Sequence, residues 1–160
     1  MKQTLHLTSE AIEADEAGLD EEQRQLLQET RSYLPQAYAP YSRFHVAAIA
    51  LLEDGTRVAG TNQENAAYPS GLCAERVALF HAGALHPGKA IRYLCITVKS
   101  ESRKVTKPVS PCGACLQVMT ESEYRQQKPF TLILAGEEGN ILLITGTKNL
   151  LPFRFLPDEL

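Results

Sequence analysis

The chain has no tryptophan and only two methionines, and no apolar run approaches the roughly 20 residues that cross a bilayer. The last absence excludes a membrane-spanning helix. Residues 1–8 also lack the basic and apolar regions of a secretory signal, so the expected compartment is the cytoplasm, with no membrane partner. A basic stripe is missing too. The 16 Lys and Arg are scattered among 19 Asp and Glu, for a formal net charge of -3, which leaves no electrostatic footprint for a polyanion and makes nucleic acid an unexpected partner. Cysteine is sparse, at four residues. Without a secretory signal these four are expected to be metal ligands or buried thiols and not disulfides. Internal repeats and low-complexity tracts are absent. A length of 160 residues with 44% hydrophobic content suits a single domain with a real core.

What is present reads as alternating elements. Residues 1–19 have no firm periodicity and are expected to form a loosely ordered extension to a single catalytic domain over residues 20–160. Asp20 is a plausible N-cap, with Glu21 and Glu22 in the first turn; Leu26, Leu27, Thr30, Leu34 and Ala37 continue a helical stripe that ends near Pro35 and Pro40. Two β-rich runs, 44–52 and 57–61, flank Asp54-Gly55 and predict a hairpin. A mostly apolar helix is expected from Cys73, a strand over 91–98, a helix over 112–124, and two last strands over 130–135 and 141–145. The order αββαβαββ predicts an α/β fold in which a largely parallel or mixed sheet is covered by helices.

The chemistry concentrates in two short segments, Cys73-Ala74-Glu75-Arg76 and Pro111-Cys112-Gly113-Ala114-Cys115. Both fall at predicted helix starts, where unpaired N–H groups and the helix dipole favour thiolate. Cys112 and Cys115, three apart, share a helical face, so both sulfurs can reach one ion at about 2.3 Å. Three thiolates leave the fourth corner of a tetrahedral zinc open for water. Glu75, two positions after a ligand and among Ala74, Val77, Ala78, Leu79 and Phe80, is expected to be a buried carboxylate that moves protons without binding the metal. Arg76 would offset the negative charge of the thiolate set. Two other readings stay open. The cysteines could be small buried hydrophobes, or a structural zinc could recruit Cys95, His81 or His86 as a fourth ligand.

With these residues in view, the chain resembles the small homotetrameric zinc-dependent cytidine deaminases. Besides the two zinc segments, the resemblance rests on Pro40-Tyr41-Ser42-Arg43-Phe44, on Asn62-Gln63-Glu64-Asn65-Ala66-Ala67-Tyr68, and on Leu150-Leu151-Pro152 with Phe155. It implies a three-layer fold, a five-stranded mixed sheet with helices on both faces. It also implies one Zn2+ per subunit held by Cys73, Cys112 and Cys115, with Glu75 as proton shuttle. Asn62 and Glu64 would bond the ribose 3'-hydroxyl, and Phe44 would face the pyrimidine ring. The main chain of Ala74 and Ser110 would meet the base edge, and Phe155 would enter a neighbouring subunit's site in a homotetramer. The implied reaction is hydrolytic deamination of cytidine and 2'-deoxycytidine with release of ammonia. Gln63, Leu116 and Phe153 depart from the family's usual residues and motivate an alternative, a deaminase of a modified cytosine nucleoside. A noncatalytic zinc-stabilised interaction domain is the other alternative.

Overall fold

The computed structural model describes residues 1–160. Its strands are β1 (Ile12–Ala14), β2 (Phe44–Leu52), β3 (Arg57–Thr61), β4 (Ile91–Ser100), β5 (Thr131–Ala135) and β6 (Ile141–Thr145). Its helices are α1 (Glu21–Ser32), α2 (Ala74–Leu85) and α3 (Gly113–Gln126). The strands form one sheet in the order β1-β6-β5-β4-β2-β3, and only β4 and β5 run parallel. A parallel pair needs a crossover connection, and α3 supplies it.

Strand alternation divides the core into two. Ala48, Ala50, Leu52, Leu94, Ile96, Leu132 and Leu134 pack with Ala78 and Leu79 of α2 and with Cys115, Leu116 and Met119 of α3. The residues between them, Ile49, Leu51, Cys95, Ile133 and Ala135, pack with Leu26 and Leu27 of α1. The sheet is therefore the middle of three layers, and because β2, β4 and β5 are covered on both faces they read as continuous apolar runs. Leu116 lies inside the first core.

The sheet has six strands and not the expected five. The additional strand comes from residues 1–19: Ile12, Glu13 and Ala14 pair antiparallel with Leu143, Leu142 and Ile141 of β6. Three residues are too few for periodicity to register, and what holds them is distant in sequence. Asn140 Nδ2 donates to Glu13 Oε1 at 2.8 Å, and Arg31 Nη1 donates to Glu16 Oε2 at 2.8 Å. The Asp20 cap forms as expected, in a capping box in which Gln23 N donates to Asp20 Oδ1 at 2.8 Å and Asp20 N donates to Gln23 Oε1 at 3.2 Å. The helix ends at Ser32, earlier than its apolar stripe suggests, since Pro35 has no N–H to continue the ladder and a 3-10 turn, Leu34–Gln36, follows.

Candidate active site

Cys73 is the N-cap of α2 and Cys112 the N-cap of α3, so two helix starts converge on the same side of the sheet. The Cys73 and Cys112 sulfurs are 4.0 Å apart, those of Cys112 and Cys115 are 3.4 Å apart, and all three lie within 4.8 Å of one another. A tetrahedral ion with bonds of about 2.3 Å needs sulfurs about 3.8 Å apart, so the donor set fits one zinc. No histidine or carboxylate joins the group. Cys95 is wholly buried on the opposite side, packed with the α1 core, where burial pushes its thiol up to about 12. Neither His81 nor His86 supplies a fourth ligand, which leaves one corner open.

The thiols influence one another strongly. The Cys115 thiol, hydrogen-bonding to Cys73, pulls the Cys73 pKa down to about 5, with burial opposing and Arg76 assisting. Cys115 moves the other way, because of Cys73 first, then burial, then Glu75. The first proton leaves easily and the next resists, since a second bare anion would sit beside the first; a divalent cation removes that repulsion. Arg76 faces Cys73 and Cys115, and its buried Nε finds no hydrogen-bond partner in the chain. A buried donor left without an acceptor is costly, and thiolate sulfurs are the acceptors within reach. Glu75, 6% exposed, has its pKa raised by burial and then by the charge of Cys73. Glu75 is thus held where it retains a proton more readily than an ordinary glutamate.

Cys73 of the cluster opens onto a cavity of about 780 Å3, which Glu75, Arg76, Ser110, Phe44, Asn62 and Glu64 also line. Glu64 Oε2 accepts the main-chain N–H groups of Tyr41 at 2.9 Å and Ser42 at 3.2 Å. Burial alone would raise its pKa, but the Ser42 side chain and these two amides outweigh it and hold the carboxyl below its usual value. The Asn62 amide bridges the edge of β2. Its Oδ1 accepts from Val46 N and its Nδ2 donates to Phe44 O, both at 2.8 Å, which leaves one Nδ2 hydrogen for another partner.

Seven of the expected residues thus line one cavity, namely Cys73, Glu75, Arg76, Ser110, Phe44, Asn62 and Glu64, and Cys112 adjoins it through its sulfur contact with Cys73. Cys115 completes the cluster from inside the core. Ala74, expected to meet the base edge through its main chain, is wholly buried at the first position of α2 and is not among the residues that line the cavity. Phe155 is not brought there; it is 55% exposed on the C-terminal tail, where its carbonyl accepts from Gln117 Nε2 at 2.8 Å. Gln63 also lines the cavity, and its Nε2 donates to Thr61 Oγ1 at 3.0 Å. Sequence reasoning did not single out Val46, Ile96, Val98, Tyr68 and Leu72, which also line the cavity. Val46, Ile96 and Val98 are apolar strand residues, which look alike whether they face a core or a ligand, so only the β2/β4 register distinguishes them.

A family model described as the cytidine and deoxycytidylate deaminase zinc-binding region matches residues 20–128. The chain belongs to this family. Among its relatives, the cytidine deaminase of Halalkalibacterium halodurans is 40% identical over 124 residues, which is 78% of this chain and 86% of that protein. The cytidine deaminase of Sporosarcina psychrophila is 38% identical over 136 residues, 84% and 92% of the two chains. Among solved structures, the cytidine deaminase of Burkholderia pseudomallei superposes with a TM-score of 0.70 at 33% identity, over 82% of this chain and 97% of that one. That of Mycobacterium tuberculosis superposes with 0.65 at 29%, over 86% and 99%. The span matched to the deaminase family contains all three clustered cysteines, Glu75, Asn62 and Glu64, whereas Phe155 lies beyond it.

Proposed function

We propose that this member of the deaminase family hydrolyses cytidine and 2'-deoxycytidine to uridine and 2'-deoxyuridine with release of ammonia, as a cytoplasmic homotetramer. The observation that carries the reading is a buried carboxylate, Glu75, next in the chain but one to a cysteine of the three-thiol cluster, with Cys73, Glu75, Asn62 and Glu64 all lining one nucleoside-sized cavity.

Cys73, Cys112 and Cys115 would hold the zinc, which when bound would supply the Lewis acidity that makes water a nucleophile near neutral pH. Glu75 would take one proton from the attacking water and place it on N3 of the pyrimidine as C4 is attacked, then take the second from the new C4 hydroxyl and place it on the departing amine. Its raised pKa suits a group that must both take and give. Arg76 limits the negative charge of the thiolate set. Ser110 offers its main chain to the base edge, and Phe44 offers a ring face. Asn62, through its remaining Nδ2 hydrogen, and Glu64, through its free Oε1, would hold the ribose 3'-hydroxyl. A 3'-phosphate would meet the Glu64 carboxylate at close range, so a nucleotide within a polynucleotide is rejected. No side chain named here reads the 2'-hydroxyl, which is why both sugars are accepted.

The tetramer accounts for the exposed apolar side chains Phe80, Leu85, Phe153 and Phe155, with Phe155 closing a neighbour's cavity. No helix of the chain is long and apolar enough to cross a membrane. The test is to incubate zinc-loaded protein with cytidine and with 2'-deoxycytidine while following absorbance and ammonia. Release of ammonia from neither nucleoside rejects the proposal.

A further inference from the structure

The connection from β4 to α3, residues 101–112, has no regular secondary structure, yet it carries Val109 and Ser110 to the cavity and Cys112 to the sulfur cluster. Something other than a backbone ladder must fix it. The turn between β5 and β6 presses against its middle. A Cβ at Gly136 would stand 2.6 Å from Val105 O and 2.9 Å from Lys107 O, and one at Gly139, whose φ is +89°, would run into Thr106 O. Two glycines therefore permit a backbone-to-backbone approach that no other residue allows.

Glu137, between those glycines, uses the approach. Its N–H donates to Val105 O at 2.8 Å. Its Oε1 accepts from Val105 N at 3.1 Å and from Ser100 N at 3.3 Å, and these amides are the leading reason its pKa lies below the ordinary glutamate value. Ser100 is the last residue of β4 and pairs with Phe44 in the sheet. One carboxylate oxygen thus joins the strand end opposite Phe44 to the loop that leads to Ser110 and Cys112. Val105 is buried at this junction, and the adjacent Lys104–Glu138 ion pair, at 2.5 Å, lies on the exposed side.

We propose that Glu137 is a positioning residue, a pin between two walls of the cavity, which sets the main chain of Ser110 and the approach of Cys112 from a turn that touches neither substrate nor metal. The effect on turnover rests on the deaminase reading; the effect on the metal does not. Side-chain length is the discriminating variable. Glu137→Gln keeps an acceptor oxygen in place, whereas Glu137→Asp keeps the charge but withdraws the oxygen by one methylene.

The experiment compares both variants and Glu137→Ala with the parent in three measurements: cobalt(II) titration followed by thiolate-to-metal absorption, kcat and KM for cytidine, and thermal midpoint. Loss of the two hydrogen bonds in Glu137→Asp and Glu137→Ala should weaken cobalt affinity and raise KM by about tenfold, with kcat held within about twofold and Glu137→Gln close to the parent. A merely stabilising glutamate would lower the midpoint in Glu137→Asp and leave KM and cobalt affinity unchanged, which overturns the proposal. Should Glu137→Ala not fold, the Asp and Gln pair decides alone. Should the parent not turn over cytidine, the deaminase reading fails and the cobalt titration still judges the pin.

Discussion

Glu123 of α3 buries its carboxylate against Thr147: Oε2 accepts the threonine hydroxyl at 2.6 Å and its main-chain N–H at 3.1 Å. Oε1 takes Phe130 N at 3.2 Å, and Thr120 Oγ1 donates to Thr147 Oγ1 at 3.1 Å. Farther along the tail, Tyr124 Oη donates to Asp158 Oδ1 at 2.7 Å, and Gln117 Nε2 donates to the Phe155 carbonyl. The helix whose start carries Cys112 and Cys115 therefore also holds the C-terminal segment.

The first prediction follows from that contact. Glu123→Ala leaves Phe130 N, Thr147 N and a hydroxyl without their acceptor in a buried place, at about 1–3 kcal/mol for each donor left unsatisfied. Global stability should fall by about 3 kcal/mol, and the tail beyond Thr147 should become the first site of proteolytic nicking. Denaturant unfolding together with limited proteolysis and mass analysis checks both. A variant that unfolds at the parent's midpoint would show that the Glu123–Thr147 contact does not hold the fold together.

A second prediction concerns Glu75. Glu75→Gln preserves size and hydrogen-bonding capacity and removes only the ability to exchange a proton. Metal content should remain one ion per chain, while kcat falls by about 10²–10⁴, the usual contribution of a general acid–base. Metal analysis beside an ammonia assay separates this from loss of the site. Unchanged turnover with zinc still bound would favour the noncatalytic reading.

How far the sequence anticipates the structure depends on whether a feature is local. The Asp54-Gly55 turn, the Asp20 cap and the paired helix starts at Cys73 and Cys112 are written into neighbouring residues, and they appear where the sequence places them. Strand β1 is not legible, because three residues become a strand only through β6, more than a hundred positions away. The same holds for the Asn62 amide, whose two bonds to β2 depend on the β2/β3 register, and for Glu137, which acts on a loop that only the tertiary fold brings near.

Glu64 should govern selectivity more than rate. Glu64→Gln retains an oxygen for the Tyr41 and Ser42 amides, so the cavity wall stays in place, while the negative charge disappears. KM for cytidine should rise by about tenfold, the worth of one charge-assisted hydrogen bond, and inhibition by cytidine 3'-monophosphate should strengthen. Competition assays with the 3'- and 5'-monophosphates check the direction. Equal weakening of both would contradict a carboxylate aimed at the 3' position.

The hairpin turn supplies a pH prediction. The Thr56 main-chain N–H, then the Thr56 side chain and Lys89, lower the pKa of Asp54 from 3.8 to about 2. A folded pKa below the unfolded one means that the ionised form is favoured in the native state. The contribution is therefore complete above about pH 3.8 and disappears as pH falls through about 2. Asp54→Asn should melt below the parent at pH 7, and the two melting curves should converge near pH 2. A gap that persists at the acid end would locate the effect in turn geometry and not in charge.

Metal removal tests the cluster itself. Without a cation, the three sulfurs within 4.8 Å of one another cannot all be anionic, and the starts of α2 and α3 lose the tie that draws them together. A ligand present at a thousand times its dissociation constant stabilises the native state by about 4 kcal/mol, so chelation should lower the melting temperature by on the order of 10 °C. Because α2 and α3 share a core with β2, β4 and β5, hydrogen exchange should rise first at residues 73–77 and 112–116 and only later in the sheet. Zinc added back should restore both the midpoint and the exchange pattern, whereas magnesium, an oxygen-seeking ion, should restore neither.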